Sequence, residues 1–272
     1  QRLPERSDLP HSPIPTPAAA IDAVPSDLLR RRDLMLSALG LAGGASLLGL
    51  AGCGGGSDTE AYIRAINATV DYSTADFWVA ESKAFAAQPN GGTVSGYTTV
   101  DAGSTQIQLH ATGSSVSKLT ETRTLTKDTY TSALAYGSLA TSLKFKYFEE
   151  SSSTPASGKT TIRLFQGSPT LTALDLYVTN ATYLTDLTPT LTVSAFGELT
   201  DFVTLTSGTY RLRVTASGDK SNVLFDYTVG ANLFSKSVIT LVVVPRASGS
   251  LPNLTALPEK STGDVLSNSL VS

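Results

Sequence analysis

Ala75-Asp76-Phe77-Trp78-Val79 recurs later in the chain as Leu174-Asp175-Leu176-Tyr177-Val178, at an offset of 99 residues. The same offset relates Ile63-Arg64 to Ile162-Arg163, with no gap between the two matches. Further on, Tyr97, Val100, Gly103, Ile107, Leu109, Ala111 and Gly113 align with Phe202, Leu205, Gly208, Leu212, Val214, Ala216 and Gly218. The offset is then 105, so the second copy carries six extra residues before this block. Identity is low, but the apolar period and the turn glycines agree, which marks one structural unit used twice.

The period is that of half-buried strands. In Thr105–His110, Ile107 and Leu109 share one face, while Gln106, Gln108 and His110 take the other. In the equivalent stretch Tyr210, Leu212 and Val214 face in, with Arg211, Arg213 and Thr215 facing out. Asp101-Ala102-Gly103, Thr206-Ser207-Gly208 and Pro89-Asn90-Gly91-Gly92 supply turns. No long helical period follows Cys53. The predicted fold class is all-β, with two tandem Ig-like antiparallel β-sandwich domains. The first spans residues 61–148 and the second 160–245. Between them lies a linker, 149–159, marked by Ser151-Ser152-Ser153-Thr154-Pro155. Residues 246–272 lose the alternation and read as a C-terminal tail, packed on the second copy or loose.

These elements resemble the DUF4397 domains of bacterial secreted and surface proteins. That family opens on a V-R-V-V-N/H-A-S-P strand, followed by V-D-V-Y-V and later by a Gly turn leading into T-Y-x-L-x-V. Ile63 to Thr69 and Ile162 to Pro169 fit the first element, and the second copy keeps Ser168-Pro169. Asp76 to Val79 and Asp175 to Val178 fit the second, and Gly208 to Val214 fits the third. The first copy departs at Val70, where Pro is usual, and at Trp78. The resemblance implies an Ig-like sandwich outside the cell and no particular activity.

Upstream, residues 1–29 contain six prolines and no apolar period, and read as a disordered N-terminal extension. Residues 30–52 have the layout of a signal peptide: the basic Arg30, Arg31 and Arg32, an apolar run from Leu34 to Leu50, then Ala51 and Gly52. Leu50-Ala51-Gly52-Cys53 resembles the lipobox of bacterial lipoproteins, which implies cleavage before Cys53 and lipidation of its thiol. Several acyl chains anchor far more firmly than one, because each buried methylene adds about 0.8 kcal/mol. Arg31-Arg32-Asp33-Leu34-Met35 also resembles a twin-arginine export signal, with an ordinary secretory leader as the alternative. Residues 53–60 read as lipidated Cys and flexible tether. Gly54, rather than Asp, after the cysteine points to the outer membrane, facing the periplasm or the outside. The lone cysteine is thereby explained without a disulfide or thiolate chemistry.

Charge narrows the partners further. The chain has 20 Lys+Arg against 23 Asp+Glu, a net −3, and no basic stripe, which argues against nucleic acid. His110 is the one histidine after Cys53, its counterpart is Thr215, and no serine sits in a G-x-S-x-G turn. His110 is expected as an exposed strand residue. No cofactor or metal set is expected, and no catalytic residue is assigned. Asp76 and Asp175 are the natural pair for a carboxylate-dependent hydrolase of envelope polysaccharide, the alternative reading. Arg64 and Arg163, each twelve residues earlier, offer a simpler account as cross-strand ion pairs with them. Glu149-Glu150 in the linker is expected as a solvated pair. Trp78 and Tyr177 fall on the Asp76/Asp175 face, opposite the presumptive core, and make these four residues a candidate binding face for a protein or polysaccharide of the envelope. The sequence thus describes a non-catalytic surface lipoprotein, held at the membrane through Cys53, that presents tandem β-modules.

Overall fold

The computed structural model describes residues 59–140, 142–150 and 153–271. The expectations for the N-terminal extension, the signal motif Arg31, Arg32, Leu50, Ala51 and Gly52, and lipidation at Cys53 lie outside them. The described residues contain strands and no α-helix. The first copy comprises β1 (Glu60–Thr69), β2 (Thr74–Val79), β3 (Ser82–Pro89), β4 (Thr98–Asp101), β5 (Gly103–Ala111), β6 (Ser117–Leu125), β7 (Tyr130–Ser138) and β8 (Ser142–Glu149). The second comprises β9 (Lys159–Gln166), β10 (Leu174–Thr179), β11 (Leu191–Val193), β12 (Val203–Thr206), β13 (Gly208–Ala216), β14 (Asp219–Leu233), β15 (Val238–Val244), β16 (Asn253–Pro258) and β17 (Asp264–Leu266).

Each copy is a β-sandwich, and the two share one topology. Sheets β4-β1-β7-β8 and β3-β2-β5-β6 form the first; β12-β9-β15-β16-β17 and β11-β10-β13-β14 form the second. Pairing is antiparallel except for one parallel pair in each copy, β1 with β7 and β9 with β15. A parallel pair needs a crossover, which the strands of the facing sheet supply. The alternation places Phe77, Val79, Ile107 and Leu109 in the first core with Ile63 and Ala65. Leu176, Leu212 and Val214 join Ile162 and Leu164 in the second.

A third apolar cluster was not foreseen. Ile66, Ala68, Leu134, Tyr136 and Phe148 of the first copy pack against Phe165, Val242, Val244 and Leu257 of the second. These residues lie on the outer faces of β1, β7 and β8 and of β9, β15 and β16. The two copies are therefore joined face to face and are not beads on a linker. The faces are equivalent: Val94 bridges to Ile66 in one copy as Leu199 bridges to Phe165 in the other. At the seam the Thr255 hydroxyl donates to the Gly92 carbonyl at 3.0 Å. Gly92 has φ +86°, and a Cβ there would lie 2.1 Å from Thr255 Oγ1 and 2.8 Å from Val244 Cγ2.

Two expectations need correction here. Residues 246–272 are not a tail: β16 and β17 extend the second copy's sheet, because β15 would otherwise expose an unpaired edge. Beyond them Asn268 is buried, donates to the carbonyls of Leu224 and Pro252, and accepts from the Asp226 amide. Nor are Glu149 and Glu150 a solvated pair. Glu149 meets Arg123 at 2.5 Å on the surface, whereas the Glu150 side chain is buried at the seam. There it accepts from the Tyr97 hydroxyl and from the Lys260 amide.

Candidate functional site

β2 and β10 hold central places in their sheets, so the residues opposite their core positions look out of the sandwich. Asp76 and Trp78 do so in the first copy, Asp175 and Tyr177 in the second. Each aspartate ties its strand to the hairpin turn that follows a neighbouring strand of its sheet, β5 for Asp76 and β13 for Asp175. Asp76 Oδ1 accepts from the Ala87 amide (2.7 Å) and Oδ2 from the Gly113 amide (3.2 Å), while Lys83 Nζ stands 2.7 Å from Oδ2. Asp175 Oδ2 accepts from the Gly218 amide (2.9 Å), and Oδ1 from the hydroxyls of Thr192 (2.7 Å) and Ser217 (3.2 Å). Gly113 and Gly218 are aligned residues, both with positive φ, so this tie is a property of the repeated unit. Burial pushes the Asp76 carboxyl up, but the Lys83 ammonium and the two amides together outweigh it and hold it below the ordinary carboxylate value.

The expected Arg–Asp pairs do not form. β1 and β2 lie in different sheets, so residues twelve apart are not cross-strand neighbours. Arg64 is buried at the seam, where it donates to Ser132 Oγ (2.7 Å) and to the carbonyls of Ser261 (2.6 Å) and Pro258 (3.1 Å), with its guanidinium 4.6 Å from the Tyr97 ring. Arg163 donates to Thr240 Oγ1 at 2.9 Å and lies 4.4 Å from the Phe202 ring. Arg163 also lies 5.5 Å from the ring of Phe148 in the first copy, so both repeat arginines belong to the junction between copies.

The candidate aromatic–carboxylate face is also corrected. Asp76 and Asp175 are buried, and Tyr177 is 1% exposed. Trp78 alone is half-buried. His110, expected at the surface, is 3% exposed, and its ring stacks on Trp78 with centroids 5.1 Å apart. Its ring nitrogens meet the Gln108 carboxamide oxygen at 2.9 Å and the Ser114 carbonyl at 3.1 Å. Lys83 Nζ also lies over the indole, 5.9 Å from its centroid. Outward-facing strand residues are covered here by neighbours on β3 and β5.

In the second copy the covering is a loop. The connection 180–190 folds over the outer face of β10 and β13, with Leu184 buried beneath it. Arg213 holds it down, donating to the carbonyls of Thr182 (3.0 Å) and Ala181 (2.6 Å). Between this loop and the β13–β14 hairpin a cavity of about 430 Å³ opens. Its lining includes Thr182, Tyr183, Thr185, Arg213, Lys220 and Ser221. The extra residues of the second copy signal an added connection here, but not what it covers. Among the described residues no group of His, Cys, Asp or Glu is placed to hold a metal ion.

Residues 61–177 and 160–265 each match the domain of unknown function DUF4397. The chain is a member of the DUF4397 family and carries its domain twice. No curated protein matches it. Among solved structures, a candidate adhesin from Bacteroides ovatus is similar over 77% of this chain and 96% of that one, at 9% identity and a TM-score of 0.23.

Proposed function

We propose that this protein is a non-catalytic lipoprotein of the bacterial envelope, exported, anchored through Cys53 to the outer membrane, and built to present a rigid double sandwich to a binding partner. The observation that carries this reading is the seam. A buried apolar cluster joins the copies back to back, so their remaining faces form the outside of one body. The repeat aspartates favour a scaffold in the same way, because both are engaged in turn contacts of different sandwiches. A carboxylate-dependent hydrolase draws no support from them, since it needs two acids facing one cleft.

Metabolic labelling with palmitate in a bacterial host tests the anchor. The full chain is expected to incorporate label and to fractionate with the outer membrane, and Cys53→Ser to do neither. Label retained by Cys53→Ser would sink the anchoring step. Pull-down of the anchored protein from its own envelope tests the binding role; the absence of any retained protein or glycan would count against it.

A further inference from the structure

We propose that the cavity on the outer face of the second sandwich binds an acidic saccharide, its carboxylate held by Arg213 and Lys220 and a sugar face resting on Tyr183. The inference rests on the binding role proposed above and names a ligand class for it.

Arg213 makes the case first. It is 4% exposed, and its Nε has no hydrogen-bond partner. Two of its five N–H donors go to the loop carbonyls, neither of which neutralises the charge. A buried cation normally has a counter-ion, because desolvating a charge alone is costly. Asp226 stands opposite in register, but its carboxylate is gripped on both oxygens by Arg211. Asp219 on the hairpin accepts from its own turn, at Ser221 and Asn222. Burial and the neighbouring Arg211 disfavour the Arg213 charge and together outweigh the attraction of Asp226, which is shared with Arg211. None of the cavity-lining residues is acidic, and Lys220 adds a second cation there. One buried aspartate shared between Arg211 and Arg213, with Lys220 beside the cavity, leaves an excess of positive charge that an added anion would balance.

The rest of the lining selects the kind of anion. Tyr183 lies at the cavity yet is 78% exposed, an aromatic surface with no ring stacked on it among the described residues. Thr182, Thr185 and Ser221 bring hydroxyls beside it. A bare oxyanion would use the cations and leave the ring idle. A sugar acid would use both, its ring on the tyrosine and its hydroxyls among the threonines. The cavity volume of about 430 Å³ lies within the usual range for small-ligand sites. The site also belongs to one copy only, since the first copy turns at Ala80-Glu81 where the second inserts 180–190.

Titration calorimetry on the full chain would use trigalacturonate, its methyl ester and inorganic phosphate as probes. Trigalacturonate should bind and the neutral ester should bind at least about tenfold more weakly, the loss expected for a charge-assisted contact. Arg213→Gln should weaken the acid similarly. Because Arg213 is buried, Lys220→Ala and Tyr183→Ala serve as variants that leave the core intact, each with a several-fold loss. Equal binding of acid and ester would overturn the carboxylate assignment. Phosphate binding as tightly as trigalacturonate, with Tyr183→Ala silent, would overturn the saccharide assignment. No binding of any probe, alongside partners retained in the envelope pull-down, would overturn this inference and leave the binding role standing.

Discussion

The outer faces of the two sandwiches start from the same plan and end differently. Both have a central strand with an outward aspartate and aromatic, and both aspartates hold a turn glycine. In the first copy the next strand follows after Ala80-Glu81, so β3 runs alongside and Trp78 is flanked by Lys83 and His110. In the second, β11 shrinks to Leu191–Val193, and the connection 180–190 closes over Tyr177. Gln108 and His110 of the first copy become Arg213 and Thr215, which exchanges a ring stack for a buried cation under a loop. The lesson concerns where repeats diverge. The tie, the core and the seam are common to both copies, while the face turned away from the seam is individual to each.

The seam is the element whose loss should matter most. Phe165 is fully buried there, with its ring 5.1 Å from Tyr136 and 5.5 Å from Phe148 of the first copy. Phe165→Ala should cost about 3–5 kcal/mol. Scanning calorimetry on the parent should show one transition for both copies, and on the variant two separated ones. A single transition with little loss of midpoint would mean that the copies are not energetically fused. Gly92→Ala strikes the same seam, since its Cβ would collide with Thr255 and Val244. Gly113 has a similar positive φ but open space around it, so Gly113→Ala should cost only the backbone strain, about 1–2 kcal/mol. Chemical denaturation of the two variants side by side checks the ranking; equal losses would mean that the seam relaxes freely.

Much of this fold could be read from period and repeat. Ile107/Leu109 and Leu212/Val214 point where the alternation sends them, and the aligned Gly113 and Gly218 mark equivalent turns. The seam was harder, because its polar members, Arg64, Arg163 and Glu150, look like surface residues in isolation. The available signal was in β1 and β15. Tyr62 to Ala68 carries Arg64 and Asn67 among apolar residues on both faces, and Val238-Ile239-Thr240-Leu241-Val242-Val243-Val244 is apolar on both faces apart from Thr240, as strands covered on both sides are. The Asp76 and Asp175 repeat was legible, but their partners were not, since spacing along the chain says nothing about which sheet a strand joins. The cavity depended on how 180–190 folds back, which only tertiary contacts decide.

The aspartate ties should be the next largest effect and should be similar in the two copies. Asp76→Ala strands the Ala87 and Gly113 amides, and Asp175→Ala strands the Gly218 amide with two hydroxyls. Each loss should cost about 1–3 kcal/mol in urea denaturation. A much smaller cost in one copy would show that its tie is dispensable and that the repeat is not symmetric in energy. For Asp76 there is also a pH signature. A carboxyl held below its ordinary value of 3.8 stabilises the fold above that value and loses the contribution as pH falls through its depressed one. The gap between parent and Asp76→Ala should therefore be full at neutral pH and shrink progressively below about pH 4. A gap that stays constant down to pH 2 would show that the amide contacts, and not the charge, do the stabilising.

The smallest expected effect tests the outer face of the first copy. His110→Thr installs the residue that the second copy has at Thr215 and removes the ring stacked on Trp78. A stacked aromatic pair contributes about 0.5–1.5 kcal/mol, and part of that should be recovered as Gln108 and water move in. Stability should thus change by less than about 1 kcal/mol. Trp78 is the only tryptophan of the chain, so its fluorescence reports this site alone. With one side of the indole uncovered and no loop like 180–190 to replace the imidazole, emission should shift to the red and become accessible to an added quencher. An unchanged spectrum would mean that β3, through Lys83, covers the ring by itself. The two outer faces would then differ less in their burial of the aromatic than in what they place around it.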